Sequence, residues 1–415
     1  AVHDFLPAPS LLQLSVKNGG LLLVACFLVR GGAWAVRLIA MPASLVSVYG
    51  EELLWTDQVE CEKGEDGLWK VATQESQAVD GCEALCLLNE PRLRHCKYEV
   101  PHYVTEGYYY DDGPPSLDQI VEACRLIDEK LQVHKKVAVI APVGQQFDSH
   151  RAFSALCTFA YPLLMKGELK LDLPVSGGFR PHSWASVRRP PPTGQLSVEV
   201  CLKALDLAVR QKWLDVSSFS AKEAVELCAK WDSTWVVPGQ ILLMADPVTT
   251  VLDPDPATCS HLVPPSSPNF FEFFEANAVK TLVRLNKDNE SGLAKSYDEQ
   301  KFTDLGMKHV QAAYDDTKGG VPEKDILRKV ISGCSEPGAT AFHCKAGFGR
   351  SGVCAAVLAI HRYDVPGELL LPWLRMCRPG TITTLQQAKF LSGLKDKESL
   401  EKYMSTADDQ CCTIS

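Results

Sequence analysis

The chain has 415 residues, enough for two or three domains of roughly 100–200 residues each. Hydrophobic residues make up 46% of it and charged residues 22%, values typical of globular proteins that exclude a disordered chain and an integral membrane protein. A formal net charge of −9 argues against nucleic-acid binding, because that activity needs clustered basic residues, and it favours basic peptide partners.

Sixteen cysteines show neither the density of a secreted disulfide scaffold nor the paired C-x-x-C spacing of a zinc site. We therefore expect reduced thiols in the cytoplasm or nucleus, with no metal and no cofactor. Residues 1–95 carry no assignable pattern, and the first methionine, Met41, leaves open whether residues 1–40 are native. The apolar run Leu21–Val29 has nine residues, fewer than the roughly 20 that span a bilayer, and a signal-peptide core is the alternative.

The first half of the chain predicts a strand between two helices. Ser116 and Gln119 form a capping box at the beginning of a helix over Leu117–Leu131. An apolar strand over Val137–Ala141 follows, then a turn-like loop, then an apolar helix over Ala152–Met165. The order strand, loop, helix is the feature that the second half repeats.

The middle of the chain indicates a joint between two domains. Residues 174–195 contain too many prolines and glycines for a regular element and predict a surface loop. A second helix, Ser220–Lys230, ends at the sequence WDSTWVVPG, where we expect the joint; one large domain is the alternative. Between these segments, a helix face is formed by Val198, Leu202, Leu205 and Val209.

The second half predicts a strand over Gln240–Met244, a helix over Asn269–Asn277 and a strand over Thr281–Leu285. After them come an apolar strand over Ala339–Phe342, a tight glycine-containing loop and a helix over Ser351–His361. The same order surrounds Pro142–Arg151 in the first half, without a cysteine in the loop. This repeat indicates a duplicated unit with one inactive copy.

The loop Cys344–Arg350, called the 344–350 loop below, has the features of a phosphate site. A loop between a strand and a helix N-terminus presents backbone N–H groups and the positive end of the helix dipole to an anion. The dipole and the Arg350 guanidinium favour a thiolate at Cys344, which makes this residue the predicted nucleophile. Arg350 can bind two phosphate oxygens in a fork. A buried structural cysteine in a turn is the alternative.

The neighbours of this pair are predicted to bind substrate. Ser351 can donate its hydroxyl to the thiolate, His343 can orient the loop, and Gly347 and Gly349 allow the tight curl. The remaining predicted substrate-binding residues of the loop are Lys345, Ala346 and Phe348.

The strings HCKAGFGRSG and RMCRPGTITTLQQAKFL resemble the cell-division-cycle-fourteen family of dual-specificity protein phosphatases, and the resemblance extends from Tyr98 to Leu391. It implies an α/β fold with two tandem phosphatase-like domains, each a central sheet flanked by helices, joined by a linker helix. The expected boundaries are 1–95 unassigned, 96–217 non-catalytic domain, 218–233 linker, 234–395 catalytic domain and 396–415 tail.

The resemblance also implies roles for individual residues. Cys344 becomes the nucleophile, Arg350 the phosphate ligand, and Gln386 with Gln387 the pair that positions water. Asp316, seven residues after His309, becomes the general acid, with Asp315 as the rival. The loop YDDTKGGVP is two residues longer than the family pattern, and Ala245-Asp246-Pro247-Val248 replaces the family's Ser-Gly-Pro-His.

The family's substrates are phosphoserine followed by proline with a basic residue nearby. The resemblance places part of an acidic substrate groove at Asp111 and Asp112, with Glu168 and Asp172 as further candidates. Two other functions stay open. A phosphoinositide phosphatase has a similar loop but usually a second lysine, where this chain has Phe348. A pseudophosphatase would bind phosphoproteins without turnover.

The tail ends in Cys412-Thr-Ile-Ser415, which fits the C-a-a-X pattern for farnesylation. One lipid chain anchors weakly, so a palmitoylated Cys411 would have to supply the second signal. This pattern predicts reversible attachment to a membrane surface without a transmembrane helix. A cysteine-rich frayed end is the alternative.

Overall fold

The computed structural model describes residues 25–30, 33–38, 45–59, 61–71, 82–90, 93, 113–142, 148–173, 178–179, 196–247, 270–288, 290, 297–316 and 320–406. The strands are β1 Ala25–Arg30, β2 Ala33–Leu38, β3 Val46–Tyr49, β4 Leu53–Val59, β5 Cys61–Lys63, β6 Trp69–Val71, β7 Glu83–Leu85, β8 Val137–Pro142, β9 Gly178–Phe179, β10 Leu196–Ser197, β11 Ser233–Val237, β12 Ile241–Met244, β13 Val279–Arg284, β14 Lys308–Gln311 and β15 Ala339–His343. The helices are α1 Leu117–Val133, α2 Asp148–Lys166, α3 Val198–Arg210, α4 Ala221–Trp231, α5 Phe270–Ala276, α6 Gln300–Thr303, α7 Lys324–Gly333, α8 Arg350–Tyr363, α9 Gly367–Cys377, α10 Leu385–Gly393 and α11 Lys397–Ser405.

The first sheet has the strand order β3-β4-β8-β7. Strands β4 and β7 run parallel to β8, and β3 pairs antiparallel with β4. All six residues of β8 are buried, as expected for a parallel strand covered on both faces. The predicted beginning of the first unit at residue 96 is therefore too late, because β3, β4 and β7 precede it.

Helices α1, α2 and α3 pack with this sheet in one hydrophobic core. At the beginning of α1 the predicted capping box is confirmed: the Ser116 N–H donates to Gln119 Oε1 at 3.1 Å. Gln119 also donates to the Leu93 carbonyl at 2.7 Å, which attaches the helix to the preceding segment. The indole of Trp55 on β4 donates to Ser154 on α2 at 3.1 Å. The predicted strand and both helices are present with longer bounds.

The second sheet has the order β11-β12-β15-β13-β14. Strands β12, β15, β13 and β14 are parallel, and β11 is an antiparallel edge strand. β15 lies in the centre and all five of its residues are buried. Because parallel strands end at one edge of a sheet, the loops that follow β12, β13, β14 and β15 meet there, and ligands bind at such an edge.

Helices α3 and α9 pack against each other, and a single core cluster contains residues of both sheets. Trp213, just after α3, has its ring 6.2 Å from that of Trp373 and 5.2 Å from that of Tyr363. The Trp373 indole in turn donates to the Val236 carbonyl on β11 at 3.0 Å. The predicted α/β class, with two sheets flanked by helices, is confirmed. Helix α4 lies within the predicted linker, residues 218–233.

None of the helices in the described ranges has both the length and the apolar character needed to cross a bilayer. The predicted groove residues Asp111 and Asp112, and the predicted lipidation residues Cys411 and Cys412, lie outside the described residues.

Candidate active site

Cys344 follows β15 directly, and helix α8 begins at Arg350. The cysteine is 5% exposed, and its Sγ lies 3.5 Å from the Ser351 Oγ in the first turn of α8. The fully buried strand and the fully buried first turns of the helix fix the two ends of the 344–350 loop. The thiol is thus held at the helix N-terminus with a hydroxyl donor beside it.

The backbone carbonyls of this loop bind to donors outside it. The Asp246 N–H donates to the Lys345 carbonyl at 3.2 Å, and the Ile382 N–H donates to the Phe348 carbonyl at 3.2 Å. The Gly349 carbonyl accepts the Val353 N–H at 3.0 Å within the helix. Since carbonyls that face outward leave N–H groups facing inward, the loop has the polarity that an oxyanion requires.

Two glycines are required by their surroundings. Gly347 has φ of 74°, and a Cβ on it would overlap the Met244 carbonyl at the end of β12. A Cβ on Gly349 would lie 2.7 Å from Thr383 Oγ1. The backbone therefore approaches neighbouring elements more closely than any residue with a side chain allows.

The hydrogen bonds of Arg350 define one open edge of its guanidinium. Nη1 donates to Glu290 Oε2 at 2.7 Å and to the Tyr314 carbonyl at 3.1 Å, and Nη2 donates to Glu290 Oε1 at 2.5 Å. Within the described residues Nε is buried and has no hydrogen-bond partner. A guanidinium has five N–H groups, so the Nε–H and the second Nη2–H remain as a two-donor edge. Such an edge matches two oxygens of a phosphate.

Glu290 is the residue of this site that sequence reasoning missed. Burial raises its pKa, but the Arg350 guanidinium overrides this effect and the pKa of Glu290 is lowered. Burial lowers the pKa of Arg350, but hydrogen bonding to Glu290 and the nearby negative charges raise it on balance. The sequence offered one signal, a carboxylate six residues after the end of β13, which neighbours β15 in the sheet.

Asp315 and Asp316 point to different partners. Asp315 Oδ1 binds the Lys287 ammonium at 2.5 Å, whereas Asp316 Oδ2 lies 3.6 Å from Arg350 Nη2. The Asp316 side chain is 51% exposed, at the mouth of the site. The structure therefore places Asp316, rather than Asp315, beside the 344–350 loop.

The two predicted glutamines also differ in position. Gln387 is fully buried, accepts the Thr383 N–H at 2.8 Å and donates to the Gly320 carbonyl at 3.3 Å. A Cβ on Gly349 would lie 3.1 Å from Gln387 Nε2, so this amide contacts the 344–350 loop. Gln386 is exposed on α10. Gln387 is thus the glutamine that reaches the site.

His343 lies behind the nucleophile in a buried polar chain. Its Nε2 is 2.7 Å from the Tyr297 hydroxyl, which is also 3.0 Å from His309 Nε2. Its Nδ1 is 3.3 Å from the Cys344 carbonyl and 3.5 Å from Asp246 Oδ1. Burial, with Arg284 nearby, holds the pKa of His343 well below its usual value. A neutral His343 can donate from Nδ1 to the loop and accept from Tyr297.

Lys345 is half-buried in the loop, and Phe348 is 2% exposed with the Arg378 guanidinium 4.4 Å from its ring centre.

The groove candidates Glu168 and Asp172 are exposed. Glu168 lines a surface pocket together with Tyr49, Glu51, Glu52, Lys135, Lys136 and Lys170, at the amino end of β4 and β8. This end of the first sheet is opposite the edge where β8 leads into its loop, and three lysines offset its acidic residues.

Comparison with known proteins identifies curated relatives of this chain. No family model matches the chain. The tyrosine-protein phosphatase cdc-14 of Caenorhabditis elegans is 32% identical over 305 residues, which are 69% of this chain and 40% of that protein. The dual specificity protein phosphatase CDC14A of Mus musculus is 29% identical over 342 residues, 74% of this chain and 53% of that protein. The chain spans about half the length of the curated relatives it matches.

A solved structure of PTPMT1 in complex with PI(5)P is 16% identical to this chain, with a TM-score of 0.31. The matched region is 41% of this chain and 95% of the PTPMT1 chain. The resemblance seen in the motifs is confirmed by the curated relatives, which range from Caenorhabditis elegans to mouse, human and fission yeast. The chain is thus a homologue of the CDC14 dual-specificity phosphatases.

Proposed function

We propose that this protein is a cysteine-dependent phosphatase that hydrolyses phosphoserine, phosphothreonine and phosphotyrosine in proteins, with a role in cell-cycle control in the cytoplasm or nucleus. The observation that carries the proposal is the open Nε–H and Nη2–H edge of Arg350 in the loop that begins at Cys344. One phosphate is then bound by three groups: the open edge of Arg350, the amide N–H groups of the loop and the positive end of the helix dipole.

In the first chemical step the Cys344 thiolate attacks phosphorus, and the bond from phosphorus to the seryl, threonyl or tyrosyl oxygen breaks. The Asp316 carboxyl gives its proton to that oxygen as it leaves. In the second step water held by Gln387 attacks phosphorus and loses a proton to the Asp316 carboxylate. The phosphorus–sulfur bond breaks, and Ser351 donates a hydrogen bond to the departing thiolate. Phosphate and the free enzyme result.

The loop composition favours a phosphopeptide over an inositol lipid. Lys345 is the one lysine between Cys344 and Arg350, and the apolar Phe348 is buried under Arg378. A multiply phosphorylated ring would need more cationic side chains at the mouth. We further propose phosphoserine-proline peptides with a nearby basic residue as preferred substrates, a preference consistent with the chain's net charge of −9.

The test compares the purified protein on a phosphoserine-proline-lysine peptide, a phosphotyrosine peptide and a phosphoinositide. We expect both peptides to be hydrolysed, with the first preferred, and the lipid to be hydrolysed at least tenfold more slowly. Cys344→Ser should abolish turnover while phosphopeptide binding persists, because a serine hydroxyl does not ionise near neutral pH. Hydrolysis by that variant would contradict the cysteine mechanism. Binding of peptides by the wild-type protein without hydrolysis would indicate a pseudophosphatase.

A further inference from the structure

Two neighbouring carbonyls of the 344–350 loop, those of Ala346 and Gly347, share one side-chain partner. Both accept hydrogen bonds from Arg378, at the end of α9: Nη2 is 3.3 Å from the Ala346 oxygen and Nε is 3.0 Å from the Gly347 oxygen. Arg378 is fully buried, and its guanidinium also lies 4.4 Å from the centre of the Phe348 ring. One side chain therefore contacts three consecutive residues of the loop.

The direction of these two carbonyls matters for anion binding. A peptide unit that turns its carbonyl toward the phosphate would place a partial negative charge against a dianion. In a buried loop, a carbonyl keeps one orientation only while a donor holds it there, because an unpaired buried carbonyl costs roughly 1–3 kcal/mol. Arg378 supplies that donor behind the middle of the loop.

Arg378 is held in turn by Asp232, at the end of helix α4. Its Nη2 binds Asp232 Oδ1 at 2.6 Å, and Asp232 is the C-cap of α4, with φ of 45° and its N–H bonded to the Cys228 carbonyl at 2.9 Å. The Asp232 carbonyl accepts the Ala245 N–H at 3.1 Å, which fixes the residue beside β12. A fully buried guanidinium needs a counter-charge, and Asp232 provides it.

We propose that Arg378 is a positioning residue that keeps the N–H groups of the 344–350 loop facing the phosphate. Asp232, between α4 and β11, in turn positions Arg378. This inference rests on the proposed function, since it explains how the loop is prepared for an anion. It assigns a role to Asp232. Through Arg378 this residue connects the end of helix α4 to the site.

The experiment measures two properties of Arg378→Lys: hydrogen exchange of the peptide that contains the 344–350 loop, and binding of orthovanadate by calorimetry. A lysine has one ammonium group and cannot hold both carbonyls and Asp232 in one plane. We expect faster exchange in that peptide and vanadate affinity about tenfold weaker. Hydrolysis of phosphopeptide and aryl phosphate should fall by the same factor, because the loop binds the phosphate and not the leaving group. Asp232→Asn should change both properties in the same direction by a smaller factor.

Arg375→Lys is the matched control. Arg375 lies on α9 three residues earlier, is also fully buried, and donates to the Thr381 and Ile382 carbonyls at 2.6 and 3.2 Å. We expect a lower Tm for this variant with unchanged vanadate affinity. The inference is overturned if Arg378→Lys leaves loop exchange and vanadate affinity unchanged, or if Arg375→Lys weakens vanadate binding as much.

If Arg378→Lys does not fold, the decision rests on Asp232→Asn. That variant keeps an acceptor oxygen but removes the charge, and wild-type exchange and vanadate affinity in it would overturn the inference. Loop exchange does not depend on turnover. Accelerated exchange in the variants of a protein that neither binds vanadate nor hydrolyses phosphopeptides would therefore support the positioning role and contradict the proposed function.

Discussion

Two residues in the segment that follows β13 bind the charged groups of the site. Glu290 holds Arg350 in a paired fork, and Lys287, three residues earlier, holds Glu290 with its N–H at 3.1 Å and Asp315 with its ammonium at 2.5 Å. One short segment thus fixes the phosphate-binding arginine and contacts the loop that carries the proposed acid. Because the Lys287 and Asp315 side chains are 49% and 64% exposed, their ion pair contributes at most about 1 kcal/mol.

Glu290→Gln should raise KM for phosphopeptides and lower kcat/KM about tenfold. A glutamine can accept from one guanidinium nitrogen, but its NH₂ group faces the other, so the guanidinium turns and its open edge leaves the phosphate. A hydrogen bond to a charged group is worth roughly 1.5–3 kcal/mol, enough for this effect. Steady-state kinetics and vanadate inhibition measure it.

Asp288→Asn is the control for Glu290→Gln. Asp288 lies in the same segment and pairs with the buried Arg284 at 2.7 Å, away from Arg350. We expect its kcat/KM to stay within about twofold of wild type. An equal loss in both variants would show that the segment matters only for folding.

Asp316→Ala should reduce turnover of phosphoserine by about 10²–10⁴-fold, the usual contribution of a general acid. An aryl phosphate with an acidic phenol needs little protonation of its leaving group, so its turnover should fall much less. The measurement is kcat for phosphoserine and for the aryl phosphate, compared between Asp316→Ala and the wild type. Asp315→Ala is the companion variant, and a larger selective loss in it would assign the acid to Asp315.

At the scale of elements, the 312–322 loop is joined to α10 through Gly320. The Gly320 carbonyl accepts from the Tyr314 hydroxyl at 3.0 Å and from Gln387 at 3.3 Å. Its φ is 65°, and a Cβ there would overlap the Gln387 amide and lie 2.9 Å from Asp316 Oδ1. The proposed acid and the proposed water-positioning amide are therefore packed against one glycine.

Gly320→Ala should lower kcat for phosphoserine more than tenfold, because the methyl group displaces Asp316 or Gln387. Gly306→Ala provides the control: Gly306 has φ of 76°, and a Cβ added there would meet no atom of the described residues within 4 Å. Both variants should lose roughly 1–2 kcal/mol of stability from the left-handed backbone. Equal kcat values for the two variants would contradict the role of Gly320.

At the scale of the whole molecule, a neutral His343 makes stability depend on pH. Burial holds its folded-state pKa well below the ordinary value of 6.5, so the unfolded chain binds a proton in a range where the folded protein does not. The stability contribution is present above pH 6.5 and is lost as the pH falls below it. One such group changes the free energy of unfolding by at most about 1.4 kcal/mol per pH unit.

We expect Tm to decline as the pH is lowered from 6.5 to 5.5, and His343→Gln to show a smaller decline. Glu290, whose pKa is lowered from 4.5, loses its contribution only at more acidic pH, so its titration does not overlap this window. Thermal unfolding at fixed ionic strength measures both slopes. An unchanged slope in His343→Gln would show that other groups cause the decline.

The sequence alone determined the local elements of this protein. A capping box acts over three residues, and the order strand, loop, helix around Cys344 lies within one continuous segment, so short-range rules predicted α1, β15, α8 and the glycines of the loop. The motif also brought Cys344, Arg350 and Ser351 together, because their spacing fixes their geometry once the strand and the helix form.

Only the tertiary structure decided which distant residues meet. Glu290 and Arg350 are 60 residues apart, Asp232 and Arg378 are 146 apart, and β4 pairs with a strand that begins after residue 136. Such contacts depend on strand order and on how elements pack, which local patterns do not encode. For the same reason the choice of Gln387 over Gln386 came from burial and from partners supplied by other elements.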